Sequence, residues 1–254
     1  MHIHVGDLSG SLLVFLLVFS RTGAMVMLLP AIGDVGVPAR VRLVLALAIS
    51  YALVPVVAST YPPVSPQSAM QLTLLIAQET TAGVLIGTMS RIIISALSTA
   101  GFLIATQIGL AYAQTLDPTQ GQQGAIVSTF FSLLGTVLIF ATDLHHLAIG
   151  AIQGSYTLIP PGAALPTADM AELAIRLTSG AFALGLQLAA PFLVFGFVVY
   201  AAVGILARLM PQLQVFFIAM PINILAGLFL LMLLLGSLMT LFLNFYAEQM
   251  GAFL

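Results

Sequence analysis

The chain has 254 residues, of which 61% are hydrophobic and 6% are charged, and its formal net charge is -2. A soluble globular domain carries about 25% charged residues, so this composition excludes one and predicts an integral membrane protein. The six basic residues are scattered arginines, which predicts no nucleic-acid partner, and the lack of cysteine excludes disulfides, thiolate metal sites and cysteine nucleophiles.

Apolar runs in chain order predict about six membrane-spanning helices, with seven as the alternative, because several approach the roughly 20 residues that cross a bilayer. The first run lacks a preceding basic segment and a clear cleavage site, so we expect it to remain as a span. Pro191 and Pro221 predict kinks in the last two runs. The sequence thus predicts an all-α integral membrane protein in which residues 1–254 form a single membrane-embedded domain. The runs cover residues 11–29, 43–58, 71–114, 125–142, 177–207 and 214–244.

The third run is the longest and contains only two charged residues, Glu79 and Arg91. A continuous helix over residues 71–114 would be about 66 Å long, whereas the hydrocarbon core of a bilayer is about 30 Å thick. The run therefore either folds back near Arg91 or leaves the membrane plane. Gly83 and Gly87 form the only Gly-x-x-x-Gly pair well inside a predicted span, and we expect them to contact another helix.

A polar segment, QIGLAYAQTLDPTQGQQG, occupies residues 107–124 between two apolar runs. It holds five of the thirteen glutamines, and Asp117 is its only charged residue. Asp117 precedes Pro118, which disfavours helix at that point. Lipid cannot satisfy the hydrogen bonds of irregular backbone, so the segment is either a simple solvent-side loop or the lining of a protein-enclosed or aqueous cavity.

Arg21 and Glu79 are charged residues inside predicted spans, where each costs about 2.5–3.5 kcal/mol at a helix centre. Two interpretations stay open: a proton or ion relay, or hydrogen bonding to a neighbouring helix or subunit. Glu79 and Arg91 are twelve residues apart, about 120° around a straight helix, so we expect no pairing between them.

Asp143, His145 and His146 suggest a metal site. Asp143 and His146 share a helix face, but His145 is expected to point elsewhere, and no further ligands are signalled. We therefore predict no metal and no cofactor, and interpret these residues as a polar turn at the membrane interface. Ser90 lacks the flanking glycines of an intramembrane serine protease, and no acidic pair has a catalytic spacing, so the chain is not expected to be an enzyme.

Four segments of the chain carry a family resemblance when they are taken together. They are SRTGAMVMLLPAIGDVGVPARVRLVLALAISYALVP, the polar segment 107–124, LHHLAIGAIQGSYTLIPPG and ARLMPQLQVFFIAMPINILAGL. In this order they resemble the FliR family, the R subunit of the flagellar type III export apparatus, which has relatives in virulence-associated injectisomes. Two departures are mild: Gln214 stands where the family usually has Asn, and Met220 where it usually has Phe before Pro221.

The resemblance implies a non-enzymatic subunit whose kinked helical hairpins pack with FliP and FliQ in a helical FliPQR complex. This complex is the entry gate for unfolded flagellar proteins in the basal body of the bacterial inner membrane, and it works with FlhB and FlhA. The apolar helices would face membrane lipid or sister subunits. The alternative is a small-solute or proton-coupled secondary transporter that uses Arg21, Glu79 and Asp143.

In this family a loop in the middle of the chain helps to plug the channel, and the resemblance assigns that role to the polar segment. The implied plug residues are Gln107, Tyr112, Gln114, Asp117, Pro118, Gln120, Gln122 and Gln123. The expected intramembrane or subunit-contact polar residues are Arg21, Glu79, Arg91 and Asp143.

Overall fold

The structure is a computed structural model that describes residues 5–34, 36–61, 69–110, 124–163, 167–210 and 215–253. Within these ranges the chain forms α-helices, a short 3-10 turn at Ala58–Thr60 and no strand, which confirms the predicted all-α class. The helices are α1 (Val5–Leu28), α2 (Ala39–Val57), α3 (Ala69–Gln107), α4 (Gly124–Ala141), α5 (His145–Leu158), α6 (Thr167–Leu209) and α7 (Val215–Gly251).

Five helices, α1, α2, α3, α6 and α7, are long and apolar enough to cross a membrane. A sixth span results if α4 and α5, which a short turn separates, count as one bent span. This agrees with the prediction of about six, and the helices of the described residues provide no seventh span.

Helix α3 is continuous over 39 residues, so the predicted alternative of a fold-back near Arg91 is wrong. At 1.5 Å per residue the helix is about 58 Å long, nearly twice the thickness of a hydrocarbon core. No proline interrupts it, and Arg91 does not need a turn to reach polar partners. Its Nε donates to the backbone carbonyl of Leu28, 2.9 Å away at the end of α1.

The chain divides into two compact units, which are described separately. Unit 1 consists of Met1–Ile93, Phe140–Leu177 and Ala247–Leu254, and unit 2 of Ile94–Ile139 and Thr178–Tyr246. Fully buried side chains in unit 1 include Leu17, Met25 and Ile86, and those in unit 2 include Leu97, Phe131, Phe192 and Phe242.

In unit 1, α3 approaches α1 at Gly83 and Gly87, which confirms the helix contact predicted there. A methyl group at Gly83 would overlap the backbone carbonyl of Arg21. A Cβ at Gly87 would lie 2.6 Å from the Cβ of Leu28. Small residues one turn apart let two backbones approach closely, as is common where helices associate in membranes.

In unit 2, the second half of α3 packs on α4 through small and hydroxyl-bearing residues. A Cβ at Gly101 would lie 2.6 Å from the Cα of Ser128. The Ser128 hydroxyl donates to the backbone carbonyl of Ser98 at 3.0 Å, and the hydroxyls of Ser98 and Ser132 are 2.9 Å apart. Interhelical hydrogen bonds of this kind suit an apolar surrounding, where no water competes for them.

We expect Gly83→Leu to destabilise the full chain by about 1–3 kcal/mol, because the new side chain would force α1 and α3 apart. Gly236→Leu is the matched control, since a Cβ at Gly236 on α7 has no atom within 4 Å. Thermal unfolding of both variants in the same detergent measures the difference. Equal midpoints for the two variants would contradict the close contact at Gly83.

Candidate functional site

Arg21 is the centre of a buried polar cluster in unit 1, where only 1% of the residue is exposed. Its Nε donates to Glu79 Oε2 at 2.6 Å, in an ion pair whose side chains are 1% and 2% exposed. Its Nη1 donates to the hydroxyl of Ser155 at 3.1 Å, and its Nη2 donates to the carbonyl of Ile159 at 2.9 Å. All three guanidinium nitrogens therefore have partners, and these partners come from α3, α5 and the residue that follows α5.

Two tyrosines enclose the ion pair. The guanidinium carbon of Arg21 lies 4.0 Å from the ring centroid of Tyr156, a cation–π distance, and the ring of Tyr61 is 6.1 Å from that of Tyr156. Neither tyrosine hydroxyl forms a hydrogen bond of standard geometry within the described residues. Burial raises the pKa of the Tyr61 hydroxyl above its ordinary value, so this group stays neutral at physiological pH. The cluster thus contains one cation and one anion in an otherwise neutral surrounding.

The local fold explains how these groups meet. Glu79 lies one helical turn before Gly83 on α3, and Gly83 is where the backbone of Arg21 touches that helix. The neighbouring Gln78 donates from its side-chain amide to the carbonyl of Ala163. The close approach of α1 and α3 therefore brings a guanidinium to a carboxylate 58 positions away in sequence.

Sequence reasoning identified Arg21 and Glu79 but not their mutual pairing, and it missed Ser155, Tyr156 and Tyr61. The only sequence signal at Ser155 and Tyr156 is that their segment resembles the family. The pairing of Arg21 with Glu79 does have a signal, because two opposite charges in separate apolar runs each need a partner. The geometry favours a structural role over a relay, since each charge already compensates the other.

Arg91, on α3, does not take part in this cluster, and its side chain contacts the connection between α1 and α2. Besides its bond to Leu28, its Nη2 donates to the carbonyl of Gly33 at 3.3 Å and lies 3.6 Å from Asp34 Oδ1. Arg42 Nη1 also donates to the Gly33 carbonyl, at 3.4 Å. Arg91 thus satisfies the last carbonyl of α1, where a positive charge also complements the helix dipole, and both arginines bind the Gly33 carbonyl in the connection that follows.

The structure brings together the donor atoms of Asp143, His145 and His146, all within 4.8 Å of one another. The prediction that His145 points away is wrong. It assumed a continuous helix, whereas Asp143 lies in the turn before α5 with a left-handed φ of 58°. His145 instead stacks on Phe140, with ring centroids 5.0 Å apart.

The polar segment begins at Gln107, the last residue of α3, and this end is anchored in unit 2. The Gln107 backbone carbonyl accepts a hydrogen bond from Asn223 Nδ2 at 3.2 Å. Its side chain packs against Gly196, and Ile108 packs against Gly227. The other implied plug residues lie outside the described residues; they are Tyr112, Gln114, Asp117, Pro118, Gln120, Gln122 and Gln123.

Long apolar helices, with no strand in the part of the chain that the structure describes, and a fully buried ion pair define a polytopic helical membrane protein. Residues 12–249 match the family described as bacterial export proteins, family 1. The chain belongs to this family, which confirms the resemblance read from its sequence.

Three relatives illustrate the match. The chain is 42% identical to the flagellar biosynthetic protein FliR of Caulobacter vibrioides over 93% of this chain and 94% of the relative. It is 29% identical to FliR of Bacillus subtilis over 83% of this chain and 81% of the relative. It is 29% identical to Yop proteins translocation protein T of Yersinia pestis over 64% of this chain and 65% of the relative. None of these names describes an enzymatic activity, and the chain is a component of a flagellar or type III export apparatus that works in a complex with other components.

We expect Glu79→Gln to lower the free energy of unfolding by about 3–5 kcal/mol, because it leaves Arg21 as a buried charge without a counter-ion. The matched control is Glu172→Gln. Glu172 binds Arg176 at 2.7 Å, but these side chains are 70% and 73% exposed, so at most about 1 kcal/mol should be lost.

Equilibrium unfolding in mixed micelles of a mild detergent and dodecyl sulfate compares these two variants. If both variants lost a similar amount of unfolding free energy, the buried ion pair would contribute no more to stability than the exposed one.

Proposed function

We propose that the chain is a non-enzymatic pore and gate subunit of the flagellar type III protein export apparatus. It lies at the export gate of the flagellar basal body in the bacterial inner membrane. There it assembles with FliP and FliQ subunits, works with FlhB and FlhA, and helps to form and to plug the channel for unfolded export substrates. Family membership supports the apparatus, and two features of the described residues support the finer role.

The observation that carries the proposal is the apolar exterior of α6 and α7. Only 22% and 17% of their most apolar stretches are buried within the chain. Phe197 on α6 is 76% exposed, and Leu225 and Met232 on α7 are each 69% exposed. At roughly 25 cal/mol per Å² of apolar surface, such faces must be covered by lipid or by other subunits. A subunit embedded in a helical assembly would bury them on its neighbours.

The anchored start of the polar segment supports the plug. Asn223 and two close glycine contacts hold Gln107 and Ile108 within unit 2. The amide-rich segment therefore starts at a fixed point of the fold. Neutral amides donate and accept hydrogen bonds, and can close against each other without counter-ions. They can also bond transiently to any passing backbone, which suits a gate that does not select cargo by sequence.

The buried ion pair is the observation that favours the alternative, a small-solute or proton-coupled transporter. A transporter that used Glu79 would lose transport in Glu79→Gln in a pH-dependent way. In the export subunit the same substitution acts through stability, and its effect should not follow pH. Because all three guanidinium nitrogens of Arg21 are already hydrogen-bonded, the export role is the better supported of the two.

We expect deletion of residues 114–123 to make the membrane permeable to potassium ions and small dyes while the complex still assembles, because the segment would no longer close the channel. Efflux from loaded vesicles or cells measures the leak. The matched control replaces the proline-rich residues 62–67 with Gly and Ser, which should leave permeability at the wild-type level.

Unchanged permeability in the deletion, with normal assembly, would contradict the plug. Assembly is tested by purification in mild detergent followed by identification of the bound proteins. Recovery of the chain alone from cells that contain FliP and FliQ would contradict the subunit role itself.

A further inference from the structure

We propose that Asp143, His145 and His146 form a binding site for a divalent transition-metal ion of the Zn²⁺ type. One carboxylate oxygen and one nitrogen of each ring lie within 4.8 Å of one another at the start of α5. None of its three residues belongs to the ion pair or to the proposed channel plug, and the proposal does not depend on the export function.

The turn before α5 is what assembles the three donors. In a continuous helix His145 would lie on a different face from Asp143 and His146. Asp143 instead precedes the helix with a left-handed φ of 58°, and one of its carboxylate oxygens lies within 4.8 Å of a nitrogen of each ring. The Nδ1 atom of His146 is 3.1 Å from the Asp143 carbonyl and 4.0 Å from its carboxylate Oδ1. The carbonyl contact holds this ring beside the carboxylate.

His145 is held in place by ring stacking. Its ring lies nearly parallel to that of Phe140, at 17°, and its centroid is 4.1 Å from that of His146. Its Nδ1 is buried and has no hydrogen-bond partner within the described residues. A buried polar atom without a partner costs about 1–3 kcal/mol, and coordination to an ion is one way to remove that cost.

Modest side-chain movement would complete the site. Two ligand atoms that each lie 2.0–2.2 Å from a tetrahedral Zn²⁺ are about 3.4 Å apart, so the donors must close by roughly 1 Å. His146 and Asp143 have side chains that are 68% and 80% exposed, and thus have room to move. Asp143 is also the only charged residue between positions 118 and 168, so no arginine nearby in sequence competes for it.

The ligand chemistry selects the ion. Imidazole nitrogens favour Zn²⁺, Cu²⁺ and Ni²⁺, whereas Ca²⁺ and Mg²⁺ prefer sites built from oxygen alone. Three protein ligands leave at least one coordination position for water. Such an ion would tie the carboxylate in the turn to the first turn of α5 and so stiffen the connection after Phe140.

The test measures Zn²⁺ binding to the full chain in detergent by calorimetry, using an affinity tag without histidine. The background carries His2→Gln and His4→Gln, because these are the only other histidines, and the lack of cysteine removes thiol binding. We expect this background protein to bind one equivalent of Zn²⁺. His146→Gln or Asp143→Asn in the same background should weaken binding at least about tenfold, the loss seen even for groups that only support a metal ligand.

Cu²⁺ provides a second measurement that does not depend on how well the variants fold. The electron paramagnetic resonance spectrum of the background protein should show coupling to imidazole nitrogens. Absence of saturable Zn²⁺ binding, Zn²⁺ affinity that is unchanged in His146→Gln, or a Cu²⁺ spectrum without nitrogen coupling would each overturn the proposal.

Discussion

A guanidinium and a carboxylate meet at 2.6 Å in the interior of unit 1, and the arrangement of three helices depends on that contact. Either charge alone would be costly in an apolar surrounding, so Arg21 and Glu79 can be buried only together. The remaining nitrogens of Arg21 bind Ser155 and the Ile159 carbonyl, which extends the constraint to α5. A single side chain on α1 thereby fixes the positions of α3 and α5, in a protein whose apolar faces provide little directional preference.

Both units pack helices closely at small residues, but their polar contacts differ. Unit 1 contains charged contacts, in the buried ion pair and in the arginines that bind the Leu28 and Gly33 carbonyls. Unit 2 is organised by small residues and amides, with Gly101 against Ser128 and Asn223 against the Gln107 carbonyl. Contacts of this second kind hold helices together without any charged group.

Much of the fold could be predicted from the sequence, because helix formation in apolar runs depends on local composition. The close contact at Gly83 and Gly87 was predictable for the same reason. Helix lengths were harder to predict from the sequence. Helix α3 continues through Arg91 because that side chain binds carbonyl groups that are far away in sequence. The pairing of Arg21 with Glu79 depends on tertiary packing across 58 positions, which no periodicity reports.

The cluster at Asp143 illustrates a different limit. The direction of the His145 side chain depends on the backbone dihedral φ of Asp143. An aspartate in the sequence indicates a left-handed turn less strongly than a glycine does. The family resemblance included the segment that contains both histidines but did not predict its geometry. Membership of an export apparatus, in contrast, could be predicted directly from the resemblance.

The bond between Asn223 and Gln107 has a mechanical consequence. Asn223 lies two residues after Pro221, and a proline inside a helix removes one backbone hydrogen bond from its first turns. A load on Gln107 would therefore pass through Asn223 to α7 close to its internal proline. The end of α3 and the first turns of α7 would then move together.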